Sequence, residues 1–236
     1  MPARLALLAV WLLLASGALG KHSAVELSPF TKIISCVPLS VTVRPRTLTD
    51  GHDYGLRVEG DVSQVQDALH YDVKDGTLSL TLSGTVSSKR APKLTVFLPD
   101  SKLQAIENSG AAVLVVDSGF DVKSIGFKAS VGKIRVDHIF ADKVFAETKG
   151  IGMVTVHGVV QKAVLNADDL STIAVKGVQR KAHVNAAGTS KIYVMGEKGK
   201  RIDGKIQWLG KVFADPSESC RLDSEETFGG GYPCPL

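Results

Sequence analysis

The residues able to do chemistry are few, and their spacing limits what that chemistry can be. Six histidines occur: His22, His52, His70, His138, His157 and His183. No two lie four apart, so none forms the paired zinc ligands of a helix. His138 and His157 would approach each other only if the chain repeated, in register, at the interval that separates them. Asp137, Asp168, Asp169 and Asp203 are the carboxylates to consider for acid–base work on a glycosidic bond. That work needs two carboxyls roughly 5 to 10 Å apart. Asp168 and Asp169 are neighbours in a segment where Asp also suits a turn. No Gly-x-Ser-x-Gly elbow, phosphate loop or zinc-spaced Cys/His cluster is present. The sequence therefore offers no catalytic, cofactor or metal residues, and no cofactor is expected.

The most regular polar feature is basic. Lys143, Lys162, Lys181 and Lys200 follow one another at a constant interval, the one that also separates His138 from His157. Arg180 and Arg201 flank two of them. If each lay on successive coils of a repeat, the ammonium groups would line up about 4.8 Å apart. Like charges that close repel unless an anion bridges them. The row is thus a candidate site for an acidic polysaccharide or an anionic cell surface. A solubilising turn position would produce the same spacing, because lysine also guards strand edges against aggregation.

Three cysteines occur: Cys36, Cys220 and Cys234. The simplest bridge joins Cys220 to Cys234, which leaves Cys36 as a buried odd thiol. A bridge from Cys36 to one of the other two is the open alternative, since spacing alone does not fix connectivity. Residues 1–20 read as a secretory leader. One charge at Arg4 precedes an apolar run over 5–15, and Ala18, Leu19 and Gly20 supply a small-x-small cleavage site. The apolar run falls short of the roughly 20 residues of a membrane span. Removing Arg4 lowers the formal net charge from +4 to +3, too mild to demand nucleic acid. No Asn-x-Ser/Thr acceptor is present.

With 44% hydrophobic and 22% charged residues, the chain is neither disordered nor collagen-like. What positions the candidate residues is a repeat. Lines 125–143, 144–162, 163–181 and 182–200 are equal in length and follow one another without insertion. Their first, third and fifth positions are apolar or small: Ile125, Phe127, Ala129; Val144, Ala146, Thr148; Ala163, Leu165, Ala167; Ala182, Val184, Ala186. A second alternating run follows in each line, around Ile134, Val154, Ile173 and Ile192. Gly158, Gly177 and Gly196 stand two residues beyond the last three of these runs, and small residues fill the turn before each. Only 61–69 suggests a helix.

Strand periodicity repeated at this interval predicts an all-β fold. The expected architecture is a right-handed parallel β-helix (β-solenoid) with coils of about 19–21 residues. An antiparallel β-sandwich is the alternative. The expected organisation is a leader at 1–20, an N-terminal β region of first coils or cap at 21–100, β-helix repeats at 101–214, and a polar Cys-bearing extended tail at 215–236.

Five motifs in order carry a resemblance to a known family: LSPFTKI at 27–33, VTV at 41–43, VKDGTLSL at 73–80, KLTVFLP at 93–99 and LQAIENSG at 103–110. With the coil repeats after them, the chain resembles the auto-transporter adhesin head GIN domain family over about 25–194. The resemblance implies a right-handed parallel β-helix outside the cell. It brings no established activity and no catalytic residues to carry over. The Cys-bearing tail departs from the family pattern, as does the turn at 169–171, which lacks a second glycine. The expected function is a secreted, non-catalytic, adhesion-type protein that contacts an extracellular glycan or protein surface. A polysaccharide lyase or hydrolase on the same fold is the alternative.

Overall fold

The computed structural model describes residues 23–46, 53–59, 65, 68–84, 92–215 and 219–224. The leader at 1–20 and Cys234 lie outside them. So does most of the helix candidate at 61–69, of which Val65 and Ala68 are helical and Leu69 already begins a strand.

The repeats fold into long bent strands. β10 (Phe120–Ala129), β11 (Lys133–Thr148), β12 (Met153–Ala167) and β13 (Thr172–Ala186) each run parallel to the next. Val144 stands opposite Ala163, and Ala163 opposite Ala182. This parallel ladder is the expected solenoid, of about six turns, and it excludes the antiparallel sandwich. One coil has three faces. Face A is 143–148 and its stacked equivalents, face B is 153–156 and face C is 158–160.

The alternating side chains divide cleanly between inside and outside. All twelve residues at the first, third and fifth positions are buried, Ile125, Val144, Leu165 and Val184 completely. So are Ile134, Val154, Ile173 and Ile192 on face B. Each buried Val, Leu or Ile contributes on the order of 1.5–3 kcal/mol. Polar groups inside the turn from face A to face B are satisfied. Thr148 Oγ1 and Ser171 Oγ are 2.8 Å apart, and Ser190 Oγ donates to the Ala167 carbonyl at 3.0 Å.

The corner from face B to face C is made by glycine. At Gly177, φ is +95°, and a Cβ there would lie 1.7 Å from the Gly158 carbonyl oxygen of the adjacent coil. A side chain would therefore push two coils apart.

The N-terminal region does not stack in chain order. β2 (Lys32–Ser35) runs parallel to both β6 (Thr77–Leu82) and β8 (Ala105–Asn108). β3 (Ser40–Arg46) likewise runs parallel to both β7 (Lys93–Pro99) and β9 (Val113–Val116). The coil made first by the chain is thus inserted between two made later. The outer edge is closed by antiparallel strands. β5 (Leu69–Lys74) pairs with β6 through a turn whose Asp75 and Gly76 both have positive φ, as a type I′ hairpin requires. β4 (Gly55–Glu59) pairs with β7, and β1 (Ser23–Glu26) with β4. A row of unpaired backbone groups is covered in this way.

At the other end, β14 (Lys191–Gly196) pairs with β16 (Lys211–Ala214), and β15 (Arg201–Ile206) with β17 (Ser219–Ser224). Residues 219–224 of the expected tail form the last of these strands. Cys220 and Leu222 pack against the core there and extend face A by one rung.

Candidate functional site

The outward residues of face A form three rows along the solenoid. The first row is Ser124, Lys143, Lys162, Lys181, Arg201 and Ser219. Lys200 does not belong to it. The step from Ala182 to Ile202 is one residue longer than the step from Ala163 to Ala182, so Arg201 takes the place expected for Lys200. Lys200 is fully buried, and its Nζ donates to the carbonyls of Gly196 at 3.5 Å and Glu197 at 3.3 Å. Its charge holds a turn together instead of facing solvent. Arg180 is exposed at the corner beside Lys181.

The other two rows modulate this charge. Phe145, Val164, His183, Asp203 and Arg221 form the second, and Glu107, Lys128, Glu147, Asn166, Asn185, Lys205 and Asp223 the third. Lys143 Nζ lies 4.3 Å from the centre of the Phe145 ring. Lys181 Nζ is 2.9 Å from Asp203 Oδ2, and His183 Nδ1 is 3.1 Å from Asp203 Oδ1. Burial pushes the Asp203 carboxyl up. Hydrogen bonds from Lys181 and His183, with their charges, outweigh that and hold it below its ordinary value. Among the described residues Lys162 has no ion-pair partner. At the end of the row a concavity of about 480 Å³ is lined by Lys181, Arg201, Asp203, Ser219 and Arg221. It sets three cations against one carboxylate.

A concavity of about 970 Å³ lies on face C. Lys102, Lys123, Asp121 and Asp142 mix both signs there, around Phe140. It gathers no row of like charge and none of the candidate carboxylates.

The carboxylates considered for acid–base work are occupied. Asp137 pairs with Arg135 at 2.9 Å. Asp168 Oδ1 accepts the Asp169 N–H at 2.8 Å, and Asp169 Oδ2 accepts the Gly150 N–H at 3.0 Å. Asp203 is held ionised by Lys181 and His183. A shift in register between Val136 and Ile139 leaves His138 and His157 without a ladder pairing to each other, and His138 meets the Phe140 ring edge-on. Among the described residues no three His, Cys, Asp or Glu side chains group as metal ligands.

Cys36 is an exposed free thiol, not the buried one expected. Ser35 is the inward residue at the end of β2, so the next side chain points out. The Cys220–Cys234 bridge remains a proposal, because Cys234 lies outside the described residues. One cation of the basic concavity, Arg221, was missed in the sequence because it fell in the expected tail. The opposition of His183 to Asp203 was also missed, because it spans the one-residue slip.

A three-faced parallel solenoid with a basic edge is a fold on which relatives can be compared. The family described as "Putative auto-transporter adhesin, head GIN domain" matches residues 29–214. The chain belongs to this family. Solved structures agree with the head GIN assignment at the level of fold. A "putative adhesin" from Bacteroides fragilis is 19% identical, with a TM-score of 0.74 over 89% of this chain and 95% of its own. One from Parabacteroides distasonis is 14% identical, with a TM-score of 0.59 over 89% and 95%. One from Parabacteroides merdae is 12% identical, with a TM-score of 0.58 over 92% and 96%. No curated protein matches the chain.

Proposed function

We propose that this head GIN protein is secreted through the leader at 1–20 and acts outside the cell as an adhesion-type binding protein for acidic polysaccharide. The observation that carries the reading is the concavity holding Lys181, Arg201 and Arg221 against Asp203 alone, continuous along one edge with Lys162 and Lys143. Repeating acid groups of a glycan chain would lie along such a row, each sugar meeting cations from successive coils. Arg contributes forked donors that suit carboxylate and sulfate, which lysine cannot match. The engagement of Asp137, Asp168 and Asp169 with neighbouring groups, and the low-lying Asp203 carboxyl, support holding a glycan rather than cleaving it.

The test is binding to acidic and neutral polysaccharides over a salt series, with products assayed for cleavage. Acidic chains should bind at low salt and weaken as salt screens the exposed cations, while neutral chains should not bind. Lys162→Glu with Arg201→Glu should abolish the interaction. Equal binding of neutral chains, or undiminished binding by that double variant, refutes the proposal. Release of shorter chains would favour the enzyme reading.

A further inference from the structure

The turn between faces A and B carries a second regular feature, on a different edge from the basic row. The residue before the last turn position in successive coils is Val131, Ile151, Leu170, Thr189 and Leu209. Its large apolar members are 47%, 61%, 69% and 52% exposed, and Trp208 beside the last is 75% exposed. Among the described residues, five of the nine large exposed hydrophobics therefore fall on one corner. Isolated exposed apolar residues need no explanation, but five gathered on one corner, interrupted only at Thr189, do.

The ridge is held rigid by its backbone. Leu170 N–H donates to the Gly150 carbonyl, Thr189 to Asp169 and Leu209 to Gly188, at 2.8–3.0 Å. Four such steps at the strand spacing place Val131 and Leu209 about 19 Å apart in a line. Because the residues sit on an outside corner, the ridge is convex. It fits a surface that yields around it better than a second convex copy.

Its borders define the chemistry of that surface. Two residues beyond the ridge, at the start of face B, stand Lys133, Lys191 and Lys211, all exposed. Among the described residues none of the three has an ion-pair partner. The nearby acids are engaged locally: Asp168 and Asp169, both exposed, accept backbone N–H groups of the turn, and Glu147 meets Lys149 at 3.9 Å. Apolar side chains with a tryptophan at one end, flanked by free ammonium groups, match an anionic lipid interface. There the hydrocarbon enters the headgroup layer, the indole sits at its boundary and lysine meets phosphate.

We infer that the ridge Val131–Ile151–Leu170–Leu209, with Trp208 and the lysines 133, 191 and 211, is a docking edge for the surface of an anionic lipid bilayer. It is separate from the proposed glycan row, and either can fail without the other.

The experiment uses residues 21–236, within which every described residue lies, because the apolar leader would itself partition into lipid. Trp11 is then absent and Trp208 is the sole tryptophan. The protein is floated with vesicles of phosphatidylcholine, alone or mixed with phosphatidylglycerol, while Trp208 emission is followed. Flotation with the mixed vesicles and a blue shift of emission are expected. Ile151→Ser with Leu170→Ser should weaken vesicle binding at least about tenfold, since each side chain is worth about that factor when buried. Lys191→Glu with Lys211→Glu should remove the preference for phosphatidylglycerol. Lys162→Glu with Arg201→Glu should leave flotation unchanged. The substituted side chains are exposed, so circular dichroism should match the parent. No flotation with mixed vesicles, undiminished flotation of the serine variant, or loss of flotation in the Lys162/Arg201 variant overturns the inference. A serine variant that changes only the protein's own sedimentation assigns the ridge to a second copy and likewise overturns it.

Discussion

Replacing Gly177 with alanine tests a close approach between two coils. Two costs add. At φ of +95° an alanine is strained, by about 1–3 kcal/mol. Its Cβ would also sit 1.7 Å from the Gly158 carbonyl oxygen, where real contacts do not fall below 3.0 Å, so the two coils must part to admit it. The ladder on both sides, His157 with Lys176 and Val160 with Val178, would then be stretched. Losing two such hydrogen bonds costs about 2 kcal/mol net, for a total of about 3–5 kcal/mol. Gly76→Ala is the control. It also has positive φ, +70°, but nothing lies within 4 Å of its Cβ. It should cost only about 1–2 kcal/mol. Urea unfolding followed by circular dichroism reads both variants, and the difference between them isolates the collision. Unfolding free energies within about 1 kcal/mol of each other would refute the reasoning.

Three further outcomes follow from particular residues. Lys200→Ala should cost about 2–4 kcal/mol in urea melts through lost packing and unsatisfied turn carbonyls; Lys162→Ala should stay within about 0.5 kcal/mol, and equal effects would contradict the burial of Lys200. Asp203→Asn should cost under about 1 kcal/mol at neutral pH, because the pair is largely exposed. The Asp203 carboxyl is held below its ordinary value, so its contribution is full above the usual carboxylate range and fades as pH falls through the lower folded value; a difference that persisted in strong acid would argue against the pairing. The same variant removes the one negative group of the basic concavity and should strengthen binding of acidic glycan. Finally, the folded protein should react rapidly with a thiol reagent at Cys36, and Cys36→Ser should abolish that fast phase; an unreactive Cys36 would place it in the core after all.

What could be read from the sequence was whatever repeated. The interior positions from Ile125 to Ala186 recur at a constant interval, and each proved buried because a parallel stack places equivalent residues directly over one another. The Gly158, Gly177 and Gly196 column was visible for the same reason. The basic row was legible over Lys143, Lys162 and Lys181 and failed at Lys200, where the turn after Gly196 absorbs one more residue. One residue moves a side chain from outside to inside, which is why a strictly constant interval mistook a buried lysine for a surface one. The apolar ridge was present in the turns as Val131, Ile151 and Leu170, but among small residues it passed for turn composition. The inserted N-terminal coil left no periodic trace, because its partners are distant in the chain.

That inserted coil separates the order of synthesis from the order of assembly. Neighbouring repeats join positions 19 apart in the chain, as Asn166 with Asn185, whereas Thr31 meets Gln104 across 73. The longer loop costs about 1.2 kcal/mol more to close. During translation β2 and β3 therefore emerge with both edges bare and wait for β6 and β7 on one side and β8 and β9 on the other. The downstream repeats have no such wait, since each new coil finds its neighbour already made. These early strands are thus sealed only after most of the N-terminal half has been made, and the interval before β9 appears is when their open edges are most exposed to pairing with another chain.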